Sequence, residues 1–126
     1  MTGVLIFLVI VVVSVIAVVT LNRPVNAPAV PNTDNTGLPV WVTQLYSDST
    51  GQAVKNPPNT ITKCLYNNQI VYYVEPGCCD QFNTVYNESG TILCAPSGGF
   101  TGAGDGRCTD FTTKKADCQI VWNSNK

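Results

Sequence analysis

The chain has 126 residues, seven basic and eight acidic side chains, a net charge of −1 and no histidine. So few basic groups leave no electrostatic footprint for a polyanion, so nucleic acid is not an expected partner. The missing histidine excludes Ser-His-Asp and Cys-His nucleophile systems, H-E-x-x-H zinc sites and an imidazole pH switch.

Residues 3–21 carry no charge, and 15 of the positions in 4–21 are Val, Leu, Ile or Phe. As a helix the run would span roughly 28 Å, close to the hydrocarbon thickness of a bilayer. Each of these residues favours insertion by about 0.3–0.6 kcal/mol at the helix centre. Lipid imposes a helix even on β-branched residues, because every backbone group must be satisfied within the segment. Asn22-Arg23-Pro24 then supplies a polar, charged, helix-breaking stop. Residues 1–21 are therefore predicted to be a transmembrane helix, with the lipid bilayer as first partner. Retention as a signal anchor is favoured, since Met1-Thr2-Gly3 lacks the basic charge of a secretory n-region. Ala27-Pro28-Ala29 offers a competing cleavage site. Residues 22–39, with Pro24, Pro28, Pro31 and Pro39, read as an extended spacer.

Residues 40–126 form one predicted domain, too short for a large core and so expected to need cross-links. The alternation in 40–46 predicts a strand. Strands are also expected at 60–66 and 70–74, joined by a tight turn over Asn67-Asn68-Gln69 with asparagines at positive φ. A second hairpin is expected from 84–86 and 91–94 around Asn87-Glu88-Ser89-Gly90, and a last strand at 120–122. No stretch after residue 21 predicts an amphipathic helix. Residues 96–107, with five glycines, must be irregular. The fold class is an N-terminal transmembrane helix plus a small disulfide-stabilised, β-rich, loop-rich domain.

The six cysteines are Cys64, Cys78, Cys79, Cys94, Cys108 and Cys118. No C-x-x-C pair is among them, which disfavours zinc, and a structural disulfide role on an oxidising side is expected. Six cysteines allow fifteen connectivities, and spacing does not choose among them. A ring between adjacent Cys78 and Cys79 would strain the intervening peptide, so each is expected to reach a separate partner. The glycine-dense loop is expected to fold on itself, tied by Cys94 and Cys108.

Asp80, Asp105 and Asp110 are the candidates for paired-carboxylate chemistry, but aspartates in tight loops more often bind backbone amides. Asp105 and Asp110 are also weak calcium candidates, short of ligands and without EF-hand spacing. No cofactor, catalytic residue or small-molecule substrate is expected. Asn87-Glu88-Ser89 is a sequon on a predicted turn, making Asn87 a possible glycosylation site. Trp41, Tyr66, Tyr72, Tyr73 and Trp122 are read as core rather than as a binding face.

The string C-C-D-Q-F-x-x-x-Y-x-x-x-G-x-x-x-C-x-P-x-G-G-x-T-G-x-G-D-G-x-C-x-D-F runs over residues 78–111. It resembles a family of small cysteine-containing domains, common in bacterial lipoproteins and secreted proteins, with no assigned function. The likeness covers about residues 60–122 and implies an extracytoplasmic, non-enzymatic domain. No cysteine stands directly after the hydrophobic run, so the lipoprotein attachment pattern is not met.

Two functions compete. One is a membrane-anchored structural or interaction protein, a minor capsid or other minor component of a virion or cell-envelope assembly, with protein neighbours as partners. The alternative is a secreted disulfide-rich binding module, such as an adhesion domain or a protease inhibitor presenting Arg107 beside Cys108.

Overall fold

The computed structural model describes residues 32–125 except residue 49. The predicted transmembrane segment and the first part of the spacer lie outside them. Among the described residues no helix is long and apolar enough to cross a membrane.

The elements are helix α1 (Val40–Gln44), strands β1 (Thr60–Tyr66), β2 (Gln69–Glu75), β3 (Phe82–Asn87) and β4 (Ile92–Gly98), helix α2 (Phe111–Lys114) and strand β5 (Ala116–Asn123). The strands form one antiparallel sheet in the order β4-β3-β2-β1-β5. β1 and β2 close as predicted, with Tyr66 opposite Gln69 and Asn67 and Asn68 at φ +49° and +61°. Two successive positive φ values match the twist of the flanking strands, which is why asparagines stand there.

Because β4 and β5 lie at opposite edges, the chain between them must cross one face of the sheet. That crossing carries Cys108 and Phe111 onto Cys64, Tyr66, Val71, Val85 and Cys94, all buried. Tyr66 meets Phe111 edge to face at 5.1 Å. The opposite face is covered from the N-terminal side, where Leu38 and Val42 pack on Ile61 and Tyr72. Val42 and Ile61 are fully buried, each worth about 1.5–3 kcal/mol of apolar burial. Trp41 stands edge-on to Tyr72 at 5.4 Å, and Tyr46 stacks on Trp122 at 4.1 Å. The aromatic residues singled out in the sequence thus belong to the two packed faces.

The strand predicted over 40–46 is instead the short helix α1 followed by a turn. Leu38, Trp41, Val42, Leu45 and Tyr46 fall at i, i+3, i+4, i+7 and i+8, a helical stripe, and all five join the same cluster. The stripe covers a sheet face better than a sixth strand would, and the 40–46 alternation is incidental. Residues 32–39 are likewise folded rather than extended: Val40 N donates to the Asn32 carbonyl at 2.8 Å, and Leu38 and Pro39 are buried.

One turn design occurs three times. Asp34, Asp48 and Asn87 each accept, through Oδ1, the backbone N–H and the hydroxyl of the Ser or Thr two residues on. Each also accepts the N–H four residues on. The residue between is Gly37, Gly51 or Gly90, at φ +76°, +81° and +81°. The shared pattern, Asp/Asn-x-Ser/Thr-Gly, is legible in the sequence once the structure has pointed to it. It reverses the chain by satisfying three donors from one short side chain.

Candidate functional site

Two turns at one end of the sheet enclose a cleft of about 620 Å³. One wall is Asn56-Pro57-Pro58-Asn59, ahead of β1, and the other is the 76–81 connection between β2 and β3. Leu45 and Val74 supply apolar lining; Lys55 is its one charged residue, and Asn56, Asn59, Gln81 and Ser124 are neutral and polar. The prolines fix φ, and the walls are pinned. Asn59 N donates to the Glu75 carbonyl at 2.8 Å, Ser124 N to the Asn59 carbonyl at 2.9 Å, and Trp122 Nε1 to the Pro58 carbonyl at 3.3 Å. A Cβ at Gly77 would stand 3.0 Å from the Pro57 carbonyl oxygen, so the two turns nearly touch there. The volume falls within the range of small-ligand clefts.

All six cysteines are paired: Cys64 with Cys118, Cys94 with Cys108, and Cys78 with Cys79. The first joins β1 to β5 where a bulge, with Asp117 at φ +50°, shifts the register. The second ties the glycine loop to β4 as expected. The third overturns the expectation that Cys78 and Cys79 reach apart. Cys79 takes φ +67°, folding the turn so that neighbouring side chains converge, and the other four cysteines are already paired. Cys78 lines the cleft; both members of the pair are exposed.

The predicted site residues do not converge. Asp80 lies exposed in the 76–81 turn. Asp105 Oδ2 accepts Arg107 Nε at 2.7 Å, and the loop folds back on β4 through Asp105 N to the Ala95 carbonyl at 2.8 Å. Hydrogen bonding from the Arg107 backbone N–H, reinforced by its side chain, holds the Asp105 carboxyl below the usual range. Asp110 pairs with Lys114 at 2.6 Å and accepts the Tyr66 hydroxyl at 2.7 Å. Those two bonds, Lys114 foremost, lower its pKa, while the bond to Asp110 raises that of Tyr66. Among the described residues no group of three or more acidic or cysteine side chains is placed to hold a metal ion. Asn87 anchors its turn through Oδ1 and leaves Nδ2, the atom a glycan would occupy, out of those bonds.

Sequence reasoning missed the cleft. Its one advance signal was Pro57-Pro58 and Pro76-Gly77, punctuation at both ends of the β1–β2 hairpin.

These features define a small antiparallel β-sheet domain closed by three disulfides, a class suited to an oxidising, extracellular environment. Residues 47–124 match a family described as a domain of unknown function (DUF6970), and the chain belongs to that family. Helix α1 precedes the matched residues. No curated protein and no solved structure matches the chain.

Proposed function

We infer that the protein is a non-enzymatic, membrane-tethered interaction module. Residues 1–21 hold the domain at a bilayer, and the β-sheet domain faces protein neighbours on an oxidising side, in a virion or cell-envelope assembly. The observation that carries this reading is a pair of exposed phenyl rings beside the cleft. Phe82 is 49% exposed and lies over Gly99, and Phe100, the next residue in the chain, is 90% exposed. Exposed rings contribute to binding once a partner covers them. Phe82 also follows Gln81 of the cleft wall, so rings and cleft share one end of the sheet. The resemblance of residues 78–111 to lipoprotein and secreted domains agrees with this placement.

The alternative is a secreted disulfide-rich binding module, an adhesion domain or a protease inhibitor, and the inhibitor form needs Arg107 free to enter a protease pocket. Its guanidinium is bound to Asp105 at 2.7 Å with more than half of the side chain exposed, so entry requires only this surface ion pair to open.

The test is cross-linking of the full-length protein in its native membranes, with and without Phe82→Ser and Phe100→Ser. The reading expects the chain to resist alkaline extraction and the double variant to lose its protein cross-links while keeping its circular dichroism spectrum. Release as a soluble fragment starting near Val30, or unchanged cross-links in the double variant, would refute it.

A further inference from the structure

We propose that the Cys78–Cys79 disulfide is a thiol-exchange site in the cleft wall, opened by a low-molecular-weight thiol while the other two disulfides stay closed. Three observations carry this. The first is access: both cysteines are exposed, whereas Cys94 and Cys108 are 0% and 9% exposed and Cys64 is 2% exposed, leaving Cys118 as the one exposed member of the other two pairs. Buried Cys94–Cys108 reacts only after local opening, and each factor of ten in the opening equilibrium slows it tenfold; Cys64–Cys118 is set apart by the long loop it closes.

The second is what the fold gains from each link. Cys64–Cys118 and Cys94–Cys108 span 54 and 14 residues, and opening either releases a loop in the unfolded chain. Cys78–Cys79 spans one residue and constrains almost no chain, so folding does little to protect it from reduction. The third is backbone conformation. Cys79 sits at φ +67°, a region that a side chain with Cβ avoids, and reduction frees it to leave.

The reaction is ordinary exchange. A reductant thiolate attacks one sulfur, forming a mixed disulfide, and the other sulfur leaves as thiolate and takes a proton. A second reductant thiol resolves the mixed disulfide. Two reductant thiols become one disulfide, and Cys78 and Cys79 gain two electrons and two protons. The cleft responds because Gln81 N is bonded to the Cys79 carbonyl at 2.7 Å and Gly99 N to the Gln81 carbonyl at 2.9 Å. Relaxation of Cys79 therefore displaces Gln81, which lines the cleft.

The experiment exposes the oxidised full-length protein to graded reduced and oxidised glutathione, quenches with acid, alkylates, and reads intact and peptide masses. A first step adding two alkyl groups, both on Cys78 and Cys79, is expected about tenfold or more ahead of any other cysteine. Circular dichroism stays unchanged through that step, and oxidised glutathione reverses it. First alkylation elsewhere, release of all six cysteines together, or no early step would overturn the proposal. The Cys78→Ser, Cys79→Ser double variant should fold and lose only the early step; a variant that fails to fold would overturn it equally.

Discussion

Trp41 lies flat over Gly90. A Cβ at Gly90 would stand 3.1–3.3 Å from the indole ring, whose Nε1 donates to the Glu88 carbonyl at 2.9 Å. The first residues of the folded unit are thereby fastened to the β3–β4 turn. Gly37 and Gly51 occupy the same place in the same turn design, and a Cβ added at either would meet nothing within 4 Å. Replacing either by alanine is expected to cost about 1 kcal/mol for the left-handed φ alone. Gly90→Ala should cost more, about 2–3 kcal/mol, since it also displaces Trp41. Urea denaturation of the three variants measures the difference.

Asn87 differs from Asp34 and Asp48 only in its amide, while all three use Oδ1 in the same way. Asn87→Asp should therefore fold within about 0.5 kcal/mol of the parent, while Asn87→Ala should lose about 1–2 kcal/mol with its acceptor. Expression through a glycosylating secretory pathway is expected to give one glycan, absent from Asn87→Asp. A parent chain that remains unmodified would make the sequon a by-product of turn chemistry.

Removing Cys64–Cys118 by paired serine substitution should destabilise by about 4 kcal/mol, and removing Cys94–Cys108 by about 3 kcal/mol, from the loops they close. Thermal unfolding of the two double variants tests the order.

Stability should hold level between about pH 5 and pH 9, because no histidine titrates there. Asp34, Asp48, Asp105 and Asp110 all have carboxyls held below 3.8 by hydrogen bonds. Their contribution is fully present above 3.8 and is lost as pH falls through the lower folded values. Tyr66, through its bond to Asp110, and Tyr46 and Tyr72, through burial, are raised above 10.0. Their contribution is present below 10.0 and is lost as pH rises through the higher folded values. Asp110→Asn should flatten part of the acid limb in a pH series of unfolding midpoints.

Residues 60–66 and the Asn67-Asn68 turn were legible because strand alternation and turn chemistry act within a few residues. Residues 40–46 mislead because a short run of Val, Trp, Thr and Leu satisfies both periods, and only the sheet face beneath decides between them. Connectivity was not legible either. Pairing of Cys64 with Cys118 depends on the chain after β4 crossing to the far edge, where β5 pairs with β1, and pairing of Cys78 with Cys79 depends on a single backbone angle. The cleft was hidden for the same reason: Asn56, Gln81 and Ser124 come from three distant stretches of chain.

The two sides of the sheet are fastened by different means. Cys64, Cys94 and Cys108 all belong to the cluster under the β4–β5 crossing, while the cluster under α1 contains no sulfur and relies on aromatic and aliphatic contact. One side is sewn and the other pressed. Strong reductant acts on the stitches of one side, and detergents and chaotropes act on the contacts that the other side relies on alone.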